Sequence, residues 1–215
     1  MRLILISDTH GLHYKMRHPI PEGDVLIHAG DFTDVGNLVD VRRFDAWVGS
    51  LGFKHVITIA GNHERKWDSP EASLGAVFQN VHYLQDSSIN IDGINFYGSP
   101  WTPTFGYGWA FNADRGNAIR KYWNMIPEAG CVDVLITHGP PLGICDKTDG
   151  RYGPPEHVGC WDLRNAVEDS VPKVHVFGHI HNGYGQKQIG QTLYVNAAVC
   201  DEDYKPVNAP IVVDI

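Results

Sequence analysis

The sequence has no apolar run that approaches the roughly 20 residues needed to span a bilayer. Its first apolar stretch, residues 2–6, meets polar Ser7 and Asp8 at once and is too short for a secretory signal peptide. We therefore expect no membrane association, and the cytoplasm is the predicted location. The length of 215 residues predicts a single domain that spans residues 1–215.

Cysteine is scarce, with four residues at positions 131, 145, 160 and 200, and none of them forms a Cys-x-x-Cys pair. This spacing argues against a structural zinc knuckle. Free, mostly buried thiols are the simpler interpretation, and they fit a reducing compartment.

Positive charge is also in deficit, because 17 lysines and arginines face 25 aspartates and glutamates, which gives a formal net charge of -8. Surfaces that follow a phosphate backbone are basic, so a long nucleic acid is not the expected partner. A small anionic substrate remains compatible with this charge if metal ions supply positive charge locally. The 12 histidines are many for this length, and a few of them are candidates for a metal site.

Short apolar runs with β-branched residues predict the framework of the fold. They lie at residues 2–7, 24–29, 55–60, 133–137 and 173–177, with closing strands at 193–199 and 211–215 and β-prone pieces at 81–84, 88–91 and 94–97. Helices are predicted at 38–51, 112–125 and 161–170, and from Ser69-Pro70-Glu71 onward, with Ser69 as N-cap. The order of strand, helix and strand predicts an α/β protein with a largely parallel sheet.

Five of these strands end in side chains that can bind a metal. The side chains are Asp8 and His10, then Asp31, Asn62, His138, and finally His179 with His181. Because the carboxyl ends of parallel strands meet at one edge of a sheet, we expect these groups to converge. Seven nitrogen and oxygen ligands without a thiolate suit divalent manganese, iron, zinc or cobalt, and seven exceed the needs of one tetrahedral zinc. We therefore predict two ions, manganese first among the candidates, with Asp31 as the bridge. His28 and His175 lie inside apolar strands and are interpreted as core residues.

The order of the polar motifs resembles that of the calcineurin-like metallophosphoesterases. The motifs are Asp8-x-His10, Gly30-Asp31-x-x-Asp34, Gly61-Asn62-His63-Glu64, His138 after a strand, and Gly178-His179-x-His181. Further blocks are similar to those of the metallophosphoesterase-domain-containing group within that superfamily. These blocks are Ser99-Pro100-Trp101, Trp109-Ala110-Phe111-Asn112, Thr137-His138-Gly139-Pro140-Pro141 and the segment 178–185.

The resemblance implies an α/β fold built as a four-layer αββα sandwich with two mixed β-sheets. It also implies that each metal ion has three ligands of its own and that Asp31 bridges the two ions. The ligands are Asp8, His10 and His181 for one ion, and Asn62, His138 and His179 for the other. His63 is implied to be catalytic rather than a ligand.

The expected reaction is hydrolysis of a phosphoester by a metal-bridging hydroxide. Two divalent ions roughly 3.5–4 Å apart lower the pKa of a bridging water and neutralise the phosphoryl oxygens. His63 is predicted to act on the leaving-group side, and the Asp34 carboxylate is predicted to orient it. The alternative role for Asp34 is a turn or N-cap residue before helix 38–51. Glu64 is expected to support the ligands rather than to react.

The loop 98–116 is rich in glycine, proline and aromatic residues, and it forms either a binding rim or a plug against the core. As a rim it would let Trp101 and Trp109 stack a base, and Asn112, Asn182 and Tyr184 would contact phosphate or sugar. The resemblance suggests small phosphodiesters, including cyclic nucleotides, as substrates. The alternatives are a phosphomonoesterase, a nuclease for short single strands, and a metal-binding scaffold without turnover.

Overall fold

The computed structural model describes residues 1–69, 73–151 and 153–215. The strands are Arg2–Ile6 (β1), Val25–His28 (β2), His55–Thr58 (β3), His82–Tyr83 (β4), Ser87–Ile91 (β5), Ile94–Ser99 (β6), Thr102–Pro103 (β7), Asn112–Ala113 (β8), Val134–Thr137 (β9), Val174–Phe177 (β10), Gly185–Ile189 (β11), Thr192–Asn196 (β12) and Ile211–Asp214 (β13). The α-helices are Leu38–Ser50 (α1), Asn117–Trp123 (α2) and Trp161–Ser170 (α3), and 3₁₀ turns lie at His13–Lys15, Leu74–Ala76 and His181–Gly183.

Two mixed sheets organise the chain. The first sheet has the order β13-β1-β2-β3-β4, in which β1 to β4 are parallel and β13 is antiparallel to β1. The second has the order β11-β12-β10-β9-β6-β5, with a parallel centre and antiparallel strands at both edges. The short strands β7 and β8 pair with each other within the loop 98–116.

The two sheets pack face to face. Leu5 of β1 and Ile27 of β2 share a buried hydrophobic cluster with Ile136 of β9 and Val176 of β10. Successive side chains of a strand point to opposite faces. Strands covered on both faces therefore read as continuous apolar runs, which is why these strands are readable from the sequence.

A helical layer covers the outer face of each sheet. Ile4 of β1 packs with Phe44 and Val48 of α1, whereas Phe177 of β10 packs with Trp123 of α2 and Leu163 of α3. The layers therefore follow the order helix, sheet, sheet, helix. The predicted α/β fold with two mixed sheets is confirmed. Within the ranges described above, none of the helices combines the length and hydropathy that a membrane crossing requires.

Two predicted helices and one strand that was not predicted differ from the structure or extend beyond the described residues. The helix predicted at 112–125 is shorter, because Asn112 and Ala113 pair with β7 and the helix begins only at Asn117. The polar edge strand β11 was not predicted. The helix predicted from Ser69-Pro70-Glu71 falls partly on residues 70–72, which lie outside the described residues.

Candidate metal centre

The predicted ligands lie where strands of both sheets end, and an unusual backbone turns them inward. Asp8, His10, Asp31 and His179 have φ angles of 53, 46, 55 and 64°. This left-handed region is uncommon for residues other than glycine, and such conformations cluster at functional sites. The Asp8 N–H donates to the Gly30 carbonyl oxygen at 3.0 Å, which ties the end of β1 to the end of β2.

Two glycines let the carboxylates approach the neighbouring backbone. A β-carbon on Gly61 would overlap Oδ1 of Asp31, and a β-carbon on Gly178 would overlap Oδ2 of Asp8. The Asp8 carboxylate also accepts the His179 N–H, at 3.1 Å and 3.0 Å to its two oxygens. These positions therefore require glycine because of close packing at the centre.

The first group of converging side chains comprises Asp8, His10 and His181, whose ligand atoms all lie within 4.8 Å of one another. The two histidine Nε2 atoms are 3.3 Å apart. Asp8 Oδ1 lies 3.5 Å from Nε2 of His181 and 4.0 Å from Nε2 of His10. All three residues are buried.

The second group comprises Asp31, His138 and His179, again with ligand atoms within 4.8 Å of one another. Nε2 of His138 lies 3.2 Å from Asp31 Oδ2 and 3.0 Å from the side-chain oxygen of Asn62. Asp31 also groups with His10 and His63 within the same distance. Asp31 is therefore central to the site, as expected for a bridging carboxylate, and the structure brings all seven predicted ligands together.

The hydrogen bonds of two histidines test whether a cation fits. Nδ1 of His138 lies 2.9 Å from the Ala29 carbonyl oxygen, and Nδ1 of His181 lies 2.9 Å from that of Asp201. A carbonyl oxygen only accepts, so both Nδ1 atoms carry a proton and each ring directs its Nε2 inward. Each Nε2 faces a carboxylate oxygen, so it holds either a proton or a metal ion there. The donor set therefore fits divalent metal ions.

The charges of the site are consistent with a bound cation. Burial lowers the pKa of His138, but the charge and hydrogen bond of Asp31, the charge of Asp8 and the hydrogen bond to the Ala29 carbonyl together outweigh it and raise the pKa to about 9. Burial likewise lowers the pKa of His181, and the hydrogen bond and charge of Asp8 raise it to about 9. A proton on these rings takes the place of the metal charge, because metal and proton compete for the same lone pair.

His63 lies beside the metal-binding groups and lines the same cavity. Its Nδ1 lies 2.5 Å from the Asp34 carbonyl oxygen, whereas the Asp34 carboxylate is 3.9 Å away and largely exposed. The predicted orientation of His63 by the carboxylate needs correction, because the main-chain carbonyl makes the short contact. The N-cap alternative for Asp34 is wrong, because Asn37 caps α1 by accepting the Asp40 N–H at 3.0 Å. Asp34 does lie in a bend before that helix, as the turn alternative expected.

Glu64 supports the centre from a buried position. Its Oε2 accepts the N–H groups of Asp31 at 2.9 Å and Gly61 at 2.7 Å. Its Oε1 accepts the N–H and the hydroxyl of Thr33 at 2.9 Å and 2.8 Å. Burial and the negative charge of Asp31 raise the pKa of Glu64 to about 8, and these donors oppose the rise. Glu64 thus ties the turn after β2 to the turn after β3.

A cavity of about 440 Å³ opens over these groups. Its floor includes His10, Asp31 and His63, and its walls include Phe105, Trp109, Arg115 and Tyr204. The rings of Phe105 and Trp109 stack with centroids 5.7 Å apart, and Trp109 also contacts His63 at 4.7 Å. Of the residues predicted to contact substrate, Trp109 lies in this cavity.

Trp101 and Asn112 lie outside the cavity, so their predicted substrate contacts need correction. Trp101 stacks on Tyr122 with centroids 3.7 Å apart and donates from Nε1 to Asp86 at 2.9 Å. The Asn112 amide donates to the Thr102 hydroxyl at 3.0 Å and to the Ala110 carbonyl at 2.9 Å. Trp101 fastens the loop 98–116 to the rest of the chain, Asn112 holds the loop together from within, and Trp109 forms the rim.

Asn182 and Tyr184 line a neighbouring cavity of about 390 Å³ that also reaches His181. The Tyr184 hydroxyl donates to the Ala209 carbonyl at 2.9 Å, and the Asn182 amide contacts the Lys147 carbonyl at 3.3 Å. Both residues therefore lie outside the cavity above the metal-binding groups, and their contacts with substrate stay a prediction.

Sequence reasoning missed Arg115 and Tyr204. Arg115 lies in a segment predicted as a helix, and its guanidinium donates to the Val158 and Gly159 carbonyls at 2.7 Å and 2.8 Å. Tyr204 stands in a polar turn far from any motif. No local signal indicates either residue, because folding alone brings them to the cavity.

Comparison with known proteins agrees with this geometry. A model of the calcineurin-like phosphoesterase family matches residues 1–183. Metallophosphoesterase domain-containing protein 1 of Homo sapiens is 45% identical over 238 aligned positions, which cover 100% of this chain and 71% of that protein. A UPF0046 protein of Caenorhabditis elegans is 41% identical over 236 positions, covering 100% and 81%. The crystal structure of TT1561 of Thermus thermophilus has a TM-score of 0.57 at 12% identity, covering 91% of this chain and 88% of that chain. This last likeness shows a shared fold alone.

Proposed function

Because the chain belongs to the calcineurin-like phosphoesterase family, we propose that it is a dimetal phosphodiesterase acting on small phosphodiesters. Family membership indicates metal-dependent hydrolysis of phosphoric esters, and the choice of diesters is our addition. The observation that carries the proposal is the convergence of two groups of buried or half-buried metal-binding side chains around Asp31, at the floor of an open cavity.

Each group of side chains would hold one divalent ion. Asp8, His10 and His181 would hold the first, and Asn62, His138 and His179 the second, with Asp31 between them. The donors suit manganese, which we propose as the metal, and they also suit iron, zinc and cobalt. Bound ions would neutralise phosphoryl oxygens and promote ionisation of a water molecule near neutral pH.

His63 is proposed to deliver a proton to the leaving oxygen. Its Nδ1–H donates to the Asp34 carbonyl, so the ring presents Nε2 as the nitrogen that exchanges the proton. A positioned general acid of this kind contributes about 10²–10⁴-fold to the rate.

The character of the cavity favours diesters over monoesters. Phe105, Trp109 and Tyr204 form much of its wall, and Arg115 is the one arginine or lysine among its described lining residues. The Arg115 guanidinium already donates to two carbonyls. A monoester would leave the aromatic wall with one organic group to contact, whereas a diester brings a second organic group for it. A nucleotide base stacked on Trp109 is one such group, and with a net charge of -8 we propose small substrates rather than polymers.

The test compares bis-p-nitrophenyl phosphate with p-nitrophenyl phosphate, with and without Mn²⁺. We expect Mn²⁺-dependent cleavage of the diester, a loss of about 10²-fold or more in His63→Ala, and no loss in the matched control His18→Ala, since His18 is exposed and outside the cavity. Preference for the monoester would overturn the diester assignment. Metal binding without turnover of either compound would favour the scaffold alternative.

A further inference from the structure

The segment after β12 carries a residue in an unfavourable backbone conformation into the site cavity. Tyr204 has a φ angle of 56°, a region that bulky side chains rarely adopt. Such a conformation persists only where the surroundings enforce it, and it is a reason to look for a function. Tyr204 also lies beyond residues 1–183, the part of the chain that the family model matches.

Asp201 enforces this conformation. Its Oδ1 accepts the N–H groups of Asp203 and Lys205, both at 2.9 Å. Its carbonyl oxygen accepts the Tyr204 N–H at 2.9 Å and the Nδ1–H of His181 at 2.9 Å. A single residue therefore fixes both the turn that carries Tyr204 and the ring of a metal-binding histidine, so Tyr204 has a fixed position relative to the centre.

The ring of Tyr204 packs onto the histidines of the site. Its centroid lies 4.8 Å from that of His10, 5.4 Å from that of His181 and 6.2 Å from that of His63. The residue remains 47% exposed and lines the cavity. Trp109 contacts His63 as well, at 4.7 Å. Tyr204 and Trp109 therefore flank His63, where the leaving oxygen would lie.

We propose that Tyr204 is a specificity-determining residue that holds a flat apolar group of the substrate in the space it shares with Trp109 and Phe105. This inference rests on the proposed function of the same site. Aromatic groups attract one another at centroid separations of about 4.5–7 Å, and the stacked pair of Phe105 and Trp109 already provides one such surface. The Tyr204 ring provides a second, so an aromatic or heteroaromatic ester group binds better than an alkyl group.

The experiment measures binding of phenylphosphonate and methylphosphonate to the Mn²⁺-loaded protein by calorimetry. The two anions share the phosphonate and differ in the organic group. We expect tighter binding of phenylphosphonate by the wild type. Tyr204→Ala should weaken the binding of phenylphosphonate about three- to tenfold and leave the affinity for methylphosphonate unchanged. Tyr204→Phe should restore the wild-type preference, because the ring is retained. Tyr14→Ala, an exposed tyrosine outside the cavity, is the matched control.

An unchanged ratio of the two affinities in Tyr204→Ala would overturn the inference. It would also be overturned if Tyr204→Phe lost as much affinity for phenylphosphonate as Tyr204→Ala. If the alanine variant fails to fold by circular dichroism, Tyr204→Leu gives the same comparison, because it removes the ring and keeps the bulk. The readout does not need turnover. A protein that shows the Tyr204-dependent preference but cleaves no ester would refute the proposed function alone, and cleavage with an unchanged ratio would refute this inference alone.

Discussion

Replacement of Glu64 by glutamine tests whether a buried carboxylate holds the two turns of the centre in place. The substitution keeps the size of the side chain and turns one of its oxygens into an NH₂ group. In the native protein the two oxygens face the N–H groups of Asp31, Gly61 and Thr33 and the Thr33 hydroxyl. An NH₂ group cannot accept from any of these donors, so at least one of them loses its partner.

The magnitude follows from the two ways in which the amide can sit. With NH₂ in place of Oε2, the N–H groups of Asp31 and Gly61 both lose their acceptor. With NH₂ in place of Oε1, the Thr33 hydroxyl can rotate and accept a hydrogen bond from the NH₂ group, so that only the Thr33 N–H loses its acceptor. The second arrangement costs less, and one unsatisfied buried donor costs about 1–3 kcal/mol. We therefore expect Glu64→Gln to lower the free energy of unfolding by about 1–3 kcal/mol.

Urea unfolding at pH 7 with saturating Mn²⁺ measures this loss, and the metal-loaded protein is used because bound cations offset the charge of Asp31. The same turns carry Asp31 and Asn62, so we also expect Mn²⁺ affinity to fall about 10- to 100-fold. At a fixed Mn²⁺ concentration this weaker binding adds about 1.4–2.7 kcal/mol per site to the loss from the unsatisfied donor, so Mn²⁺ affinity is measured separately by titration. Glu22→Gln, an exposed change, is the control. An unfolding free energy within about 0.5 kcal/mol of wild type, together with unchanged Mn²⁺ affinity, would refute the reasoning.

Two further predictions concern packing and pH. Gly178→Ala places a β-carbon against the Asp8 carboxylate and should weaken Mn²⁺ binding at least tenfold by titration, whereas Gly153→Ala, whose β-carbon meets nothing within 4 Å, should not. Burial lowers the pKa of His175 to about 3, below the roughly 6.5 of the unfolded chain. The contribution of neutral His175 to the free energy of unfolding is therefore fully present above pH 6.5, and it falls by about 1.4 kcal/mol per pH unit below that pH. Urea unfolding between pH 6.5 and 5 measures how steeply the free energy of unfolding falls with pH. The fall should be about 1.4 kcal/mol per pH unit smaller in His175→Gln than in the wild type, and unchanged in His18→Gln.

The sequence predicts the strand ends well because their signal is local. A buried β-branched run followed by a polar residue, as at Asp31 after β2, indicates both the strand and the turn that ends it. The edge strand β11 lacks that signal, since its exposed residues are mostly polar. The pairing of Asn112 with Thr102 in β7 and β8 is a contact between distant residues, and no periodicity in the segment 112–125 reports it. The positions of Arg115 and Tyr204 follow from folding for the same reason.

The main chain, rather than other side chains, orients three histidines of the site. Nδ1 of His138 donates to a carbonyl at the end of β2, Nδ1 of His63 to the Asp34 carbonyl in the turn after β2, and Nδ1 of His181 to the Asp201 carbonyl after β12. Any residue type offers the same carbonyl, so these partners leave no trace in the sequence. The sequence therefore points to the carboxylate of Asp34, although its backbone carbonyl makes the short contact with His63. It also follows that Asp34→Ala should retain the orientation of His63, and that only a shift of the backbone would release it.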